Sequence, residues 1–126
     1  MAAQFPADLR FGRNLRLKQG RDFVRIRQNG DRLASGCLIA NWERLGPVAH
    51  SRLGVVTSGR LGNAVVRNRA RRLLREAFRL HRADLAAPVD LVLVARPSIV
   101  GRRLAEVEQD FMTMLRKARL LKPASG

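Results

Sequence analysis

The segment from Gly62 to Arg79, GNAVVRNRARRLLREAFR, contains the side chains with the clearest chemistry in this sequence. From Arg60 to Arg82 there are eight arginines and one acid, Glu76. A guanidinium group presents a planar set of N–H donors that matches the oxygens of a phosphate. The pattern therefore predicts a concentrated positive surface that binds a polyanion.

The spacing of these residues predicts a helix with one charged side. At about 100° per residue, and with Arg67 taken as the origin, the charged side extends over about 140°. We call this side the basic arc, and it comprises Arg67, Asn68, Arg71, Arg72, Arg75 and Arg79. The predicted apolar side, between about 220° and 300°, comprises Val66, Ala70, Leu73, Ala77 and Leu80, with Leu74 and Phe78 on its flank beside Arg67.

The basic arc destabilises the free helix, which favours a bound anion as the reason for it. Like charges four residues apart, as at Arg67, Arg71 and Arg75, cost about 0.2–0.5 kcal/mol per pair. A helix that only faced solvent would alternate Glu with Arg, so we interpret the arc as a nucleic-acid-binding surface. Asn63 is predicted to be the N-cap of this helix, next to amides that can hold a phosphate. Asn68, a poor helix former, is predicted to be a contact residue.

The charge of the whole chain agrees with this interpretation. The 126 residues include 25 basic and 10 acidic side chains, for a net charge of +15, and such an excess favours a polyanionic partner. A genome-wide bias towards arginine codons would also raise the number of arginines, so the prediction depends on where they lie. No apolar run approaches the roughly 18 residues of a membrane span. The start, MAAQFPADLRFGR, lacks the apolar core of a secretory signal, so we expect a cytoplasmic protein with no membrane partner.

The elements that must position the basic arc can be predicted from periodicity. A short helix is expected over 20–29, with Gly30 as its stop. Two antiparallel strands are expected at 36–43 and 51–58, followed by the arginine-rich helix and by a strand at about 89–95. An amphipathic helix is expected within 102–121. We predict a flexible basic arm over 1–14, one compact α+β domain over 15–121 and a disordered tail over 122–126.

Candidate catalytic groups in the protein are few. The acids are scattered, and Glu106, Glu108 and Asp110 do not share one face of the last helix. His50 and His81 lie in different segments, and spacing suggests no partner for either. Hydrolysis at a metal site needs clustered carboxylates or histidines, so we predict no catalytic residue and no metal site on the protein.

The same residues carry a resemblance to a known family. GNAVVRNRARRLLREAF resembles the RNR signature of the bacterial ribonuclease P protein subunit, and LRLKQGRDFVRIRQNG, RLGVVTSGRLGN and DLVLVARP resemble its flanks. The resemblance extends from about Leu15 to Ala118. It implies a protein that binds the catalytic RNA of ribonuclease P and the precursor tRNA, with no protein partner predicted. It also implies an endonuclease that removes the 5′ leader, in which RNA holds the Mg²⁺ ions and performs the hydrolysis.

The resemblance also implies functional residues. Those facing the RNA subunit would be Arg60, Asn63, Arg67, Asn68, Arg69, Arg71, Arg72 and Arg75. A cleft between the sheet and the first helix would hold the single-stranded leader against Phe23. The chain departs from the family at Arg27 and near Asn41, where cleft aromatics are usual, and at Gly59, where a lysine is usual. The cleft is therefore expected to use Arg25, Arg27 and Arg52, or Trp42 if the strand register is shifted by one.

The fold implied by the resemblance is an α+β domain of two layers, similar to the second domain of ribosomal protein S5. It has the order αβββαβα and a central, mostly antiparallel sheet of about four strands packed with three helices. The family has a left-handed βαβ crossover, whereas about 98% of such units are right-handed. Two other functions stay open: a structural ribosomal or nucleoid-type protein with no processing role, and a free-standing protein nuclease.

Overall fold

A computed structural model of the chain describes residues 16–17, 20–46 and 49–123. The predicted basic arm, 1–14, and the last part of the predicted tail, 124–126, lie outside the described residues. The N–H of Lys122 donates to the carbonyl of Asp84 at 2.8 Å. The chain is thus hydrogen-bonded to the domain one residue into the predicted tail.

The order of elements is αβββαβα, as predicted. The main elements are α1 (Gly20–Asn29), β1 (Asp31–Ser35), β2 (Leu38–Arg44), β3 (Arg52–Val56), α2 (Ala64–His81), β4 (Val89–Ala95) and α3 (Leu104–Lys117). The predicted bounds of α1 are confirmed. The residue pattern did not locate β1, because its sequence, DRLAS, is polar and mostly exposed, as suits an edge strand.

The sheet has the strand order β1-β2-β4-β3. The β1–β2 and β2–β4 pairs are antiparallel and the β3–β4 pair is parallel, which confirms a mostly antiparallel sheet. Strands β2 and β3 run antiparallel to each other, as predicted, but they do not pair, because β4 lies between them. As the most continuously apolar strand, β4 gains most from a central position covered on both faces. The hand of the β3–α2–β4 crossover stays a prediction.

The two faces of the sheet are covered unequally. Helices α2 and α3 pack on one face, and the core between them is filled by large side chains such as Phe78, Leu91 and Phe111. On the opposite face α1 covers a smaller cluster that includes Ile26 and Val92. The sheet and the α2–α3 layer form the two predicted layers, and α1 adds a short third one.

Helix α2 is rotated by about 60° from the orientation that the periodicity predicted. Leu74 and Phe78, expected on the flank, are fully buried, whereas Leu80, expected in the core, is 39% exposed. Burying a large apolar side chain contributes about 1.5–3 kcal/mol, so the burial of Phe78 together with Leu74 decides which side faces the sheet. As a result, Arg67 and Arg71 lie at the edge of the packed side and are half-buried.

Candidate nucleic-acid interface

The basic arc begins at a well-formed helix N-terminus. The side-chain oxygen of Asn63 accepts a hydrogen bond from the N–H of Val66 at 3.1 Å, which confirms Asn63 as the N-cap. The first turn of α2 contains no acid. The partial positive charge at this helix end is therefore not compensated within the turn, as suits an anion-binding position.

The arginines of α2 are mostly without acidic partners. Within residues 16–17, 20–46 and 49–123, no carboxylate oxygen lies within 4 Å of five of the guanidinium groups. These five belong to Arg67, Arg69, Arg71, Arg72 and Arg75. Arg79 differs, because it forms a salt bridge with Glu76 on the same helix. The positive charge of the arc is thus largely retained in the folded protein.

Several of these guanidinium groups are oriented by neutral oxygens instead. Arg67 donates to the carbonyl of Gly62 at 3.2 Å, and Arg71 donates to the side-chain oxygen of Asn68. Neutral acceptors fix a direction without cancelling the charge. Asn68 therefore positions Arg71 in the free protein.

Arg75 lies close enough to two other arginines for their charges to act on it. Partial burial lowers the pKa of its guanidinium, and the nearby charges of Arg16 and Arg71 lower the pKa further. An anion bound beside Arg75 would oppose both effects.

A concave surface of about 540 Å³ extends over the exposed side of α2. Five of its eight lining residues are arginines, and we call it the arginine groove: it is lined by Arg16, Arg69, Arg72, Leu73, Arg75, Glu76, Arg79 and Leu104. The structure brings Arg69, Arg72 and Arg75 of the predicted set together there. Arg60 lies outside the groove, exposed in the 3₁₀ turn before α2.

Arg16 lines the arginine groove but was not among the predicted site residues. Its backbone forms a parallel bridge with Leu53, and the N–H of the next residue, Leu17, donates to the carbonyl of Leu53 at 2.8 Å. This pairing brings Arg16 and Leu17 alongside β3 and places Arg16 near Arg75. The stretch LRLK, alternating apolar and basic residues, is the signal that would have favoured an extended strand here.

The opposite face of the sheet carries the second predicted site. Phe23 of α1 packs with Leu17, Ile26 and Val92 and stays half-buried. A Cβ atom on Gly54 would lie 2.3 Å from Cε1 of Phe23, so the glycine allows the ring to lie against the backbone of β3. Phe23 is thus both a packing residue and part of an accessible surface.

Beside Phe23, a strip of the sheet is left uncovered by α1. Val56 and Ile39 both pair with Val94, so these three side chains share this face, and all three are partly exposed. We call the region formed by Phe23 and this strip the α1 cleft. Arg27 is exposed on the same helix. Asn41 pairs with Val92 and is buried on the same side of the sheet, as the predicted register requires.

Arg25 and Arg52 lie near the α1 cleft but are held by a buried carboxylate. Nε and one terminal nitrogen of Arg52 donate to the two oxygens of Asp90 at 2.9 and 2.7 Å. Arg25 donates to Asp90 at 2.8 Å and also contacts Glu43 and Asp22. Hydrogen bonding to Asp90 raises the pKa of both guanidinium groups.

Asp90 was not among the predicted site residues, although an acid inside the apolar run VDLVLVA is the signal of a buried charge. Asp90 is completely buried, while each of its two arginine partners is about one-third exposed. An Arg side chain has five N–H donors, so each keeps donors that do not contact Asp90. We call Asp90, Arg25 and Arg52 the Asp90 network.

The suggestion that Trp42 replaces a cleft aromatic is wrong. Trp42 pairs with Leu91 and is buried in the core between the sheet and the α2–α3 layer. Successive residues of a strand point to opposite faces, so Trp42 and Asn41 cannot both face the cleft. Its indole N–H has no hydrogen-bond partner among the described residues.

His81 has two acidic partners that its spacing did not reveal. Its Nδ1 lies 3.0 Å from a carboxylate oxygen of Asp84, and its Nε2 contacts Glu108 of α3. The ring also lies beside Phe111, at 6.4 Å between centroids. Burial opposes protonation, but the two carboxylates outweigh it, so the pKa of His81 is raised above its usual 6.5. This arrangement links α2 to α3.

The link predicts a pH-dependent stability. A raised folded-state pKa means that the stabilisation is fully present below the unfolded pKa, about 6.5, and is lost as the pH rises through the higher folded-state value. We expect the free energy of unfolding of the natural protein to fall above pH 6.5 relative to His81→Gln. Urea denaturation across this range measures it, with the exposed His50→Gln as control. Parallel curves for the natural protein and His81→Gln would contradict the prediction.

The described part of the chain contains neither a clustered metal site nor a membrane-spanning helix. It contains no group of three or more His, Cys, Asp or Glu residues that could hold a metal ion. Among the same residues, no helix has the length and apolar character needed to cross a membrane.

Comparison with known proteins identifies the family. The family model described as Ribonuclease P matches residues 11–119. The chain belongs to the ribonuclease P protein family. It is 34% identical to the ribonuclease P protein component of Brevibacillus brevis over 112 residues, 89% of each chain. It is 38% identical to that of Gluconacetobacter diazotrophicus over 104 residues, covering 82% of this chain and 90% of the relative.

Solved ribonuclease P proteins have the same fold. The Staphylococcus aureus RNase P protein matches with a TM-score of 0.77 at 28% identity, over 86% of this chain and 98% of that one. The Thermotoga maritima RNase P protein matches with a TM-score of 0.73 at 26% identity, over 81% and 96% respectively. The α+β fold predicted for a ribonuclease P protein is thereby confirmed, and the chain has the role of a ribonuclease P protein component.

Proposed function

We propose that this protein binds the catalytic RNA subunit of ribonuclease P through the basic arc and the arginine groove. The observation that carries the proposal is the set of five α2 arginines with no carboxylate within 4 Å among the described residues. A phosphate backbone supplies closely spaced anions along a line. An α-helix with charges at successive turns matches such a line better than it matches a single small anion.

The mechanism on the protein side is electrostatic. When the RNA subunit and its substrate approach, their phosphates repel each other, and arginines that neutralise some of them release counterions and favour the complex. Less Mg²⁺ is then needed to hold the two RNA molecules together. Arg67 and Arg71 at the arc and Arg72 and Arg75 in the arginine groove supply this neutralisation.

The 5′ leader of precursor tRNA is assigned to the α1 cleft. An extended single strand can place a base on Phe23 and on the exposed apolar strip at Val56, and base contacts of this kind are tolerant of sequence. Arg27 and the outward donors of Arg25 and Arg52 can contact its phosphates. Only the precursor has a leader, so these contacts favour precursor over mature tRNA.

Mg²⁺ is assigned to the RNA. The described residues contain no group of three or more His, Cys, Asp or Glu side chains that could hold it, so its ligands would come from RNA. The ion would activate the water that cleaves the phosphodiester. The protein would hold the RNA subunit and the precursor tRNA together in the orientation that cleavage needs. We expect this to take place in the cytoplasm, where tRNA is processed.

Reconstitution tests the proposal. Purified protein is added to its RNA subunit and a leader-bearing precursor tRNA at low Mg²⁺, and the rate of 5′ cleavage is measured. We expect at least about tenfold stimulation, since 1.4 kcal/mol of added complex stability corresponds to a factor of ten. Absence of stimulation would favour a protein that only coats nucleic acid. Cleavage without the RNA subunit would favour a protein nuclease.

A further inference from the structure

An apolar notch lies next to the basic arc, at the start of α2. It is a cavity of about 220 Å³ between the first turns of α2 and the loop that joins β4 to α3. We call it the valine notch, and it is lined by Val65, Val66, Arg69, Ala70, Ile99, Val100 and Gly101. Neither the basic arc nor the α1 cleft includes Val65 or Val100.

The notch exposes apolar side chains that the fold does not need to expose. Val65 is 74% exposed and Val100 is 50% exposed, while Ala70 and Ile99 form a buried floor. A valine in the first turn of a surface helix has no stability advantage over a polar residue. Adjoining exposed apolar side chains, rather than a single one, mark a binding position.

The walls of the notch are held in place before any ligand binds. One terminal nitrogen of Arg69 donates to the carbonyl of Arg102 at 2.8 Å, which ties α2 to the loop. The N–H of Arg102 donates to the carbonyl of Ile99 at 3.0 Å and closes a turn within the loop. The notch is thus a preformed surface with a guanidinium group at its edge.

The charge around the notch decides the class of its occupant. Arg69 lines the notch, and Arg102 and Arg103 directly follow its last lining residue, Gly101. The acid in the first turn of α3, Glu106, is engaged by Arg102 and by the N–H of Arg103. A second copy of a chain with a net charge of +15 would be repelled. An apolar floor with a cationic edge fits a group that has apolar faces and an attached anion, which is a nucleotide.

We propose that the valine notch holds one unstacked nucleobase of the RNA subunit, with the phosphate of that nucleotide on Arg69. On the helix surface Val65 adjoins Arg69, four residues further on, and Arg72 lies on the same side one turn beyond. An RNA strand that follows the arc therefore passes the notch. This inference rests on the proposed binding of the RNA subunit by α2.

The test compares affinity with its salt dependence. A base contact releases no counterion, so Val65→Ala should raise the Kd for the RNA subunit about three- to tenfold, as expected from the lost apolar contact, and leave the slope of log K against log salt unchanged. Arg69→Ala should reduce that slope by about one. Leu80→Ala, an exposed aliphatic on the same helix outside the notch, is the matched control and should change neither quantity.

The results distinguish failure of the proposed RNA binding from failure of the notch assignment. If the natural protein does not bind the RNA subunit, the proposed function fails. If it binds and Val65→Ala binds equally well, only the notch assignment fails. A photoreactive side chain at position 65 provides a second measurement that does not depend on folding energies. Its adduct should form with the RNA subunit, and an adduct with precursor tRNA or a second protein copy would overturn the inference.

Discussion

Replacing Asp90 with alanine is expected to lower the free energy of unfolding by about 2–4 kcal/mol. Removing one partner from a buried ion pair costs about 3–5 kcal/mol, because the remaining charge loses its counterion. The lower range applies here because Arg25 and Arg52 are each about one-third exposed and can be partly solvated. Arg25 also keeps Glu43 as a partner. Urea denaturation at neutral pH measures the change.

Two variants make the Asp90 experiment specific. Asp90→Asn keeps the shape and one acceptor oxygen, and it should have a smaller effect than alanine. Asp31→Ala removes an exposed carboxylate from the edge strand β1 and should change the free energy of unfolding by less than about 0.5 kcal/mol. If Asp90→Ala is no more destabilising than Asp31→Ala, the Asp90 network does not stabilise the fold.

Replacing both Arg67 and Arg71 with alanine is expected to weaken binding of the RNA subunit by about ten- to a hundredfold at physiological salt. A hydrogen bond to a charged group is worth about 1.5–3 kcal/mol, and exposure to solvent and salt reduces that value for each contact. The slope of log K against log salt should also fall by about one to two units, because fewer counterions are released. A salt titration of binding measures both quantities.

The control for this experiment separates position from net charge. Arg116→Ala combined with Lys117→Ala removes the same total charge from exposed positions at the end of α3. It should leave the slope nearly unchanged. Equal losses for the two double variants would mean that the RNA is held by diffuse charge rather than by α2. The Arg67 and Arg71 variant should also fold at least as stably as the natural protein, since it removes like-charge neighbours.

Local chemistry was predictable from the chain because its determinants lie within one or two helical turns. The basic arc depends on residues three and four apart, and the cap at Asn63 reaches only to Val66. The bounds of α1 also follow from local periodicity and turn residues, whereas the full order αβββαβα was implied by the family resemblance. A short polar strand such as β1 carries no such pattern, and it was located only by pairing with β2.

The orientation of the elements was less predictable. Periodicity predicted that one side of α2 is apolar and faces the core. Leu74 and Phe78, rather than Leu80, face the core because they fill the space against the sheet and α3. In the same way, the alternation along β2 required Asn41 and Trp42 to point oppositely. Which of the two faced the core depended on the layer that covers each face of the sheet.

The sequence by itself determined that α2 would carry a continuous cationic surface, and the family motif determined the kind of partner to expect. Only the tertiary structure decided which arginines keep that charge available. Arg52 and Arg25 meet Asp90 across 38 and 65 residues of sequence, respectively, and Arg16 reaches Arg75 only through the edge of β3. Such contacts depend on which strands become neighbours, and strand neighbours are selected by packing of the whole core rather than by adjacent residues.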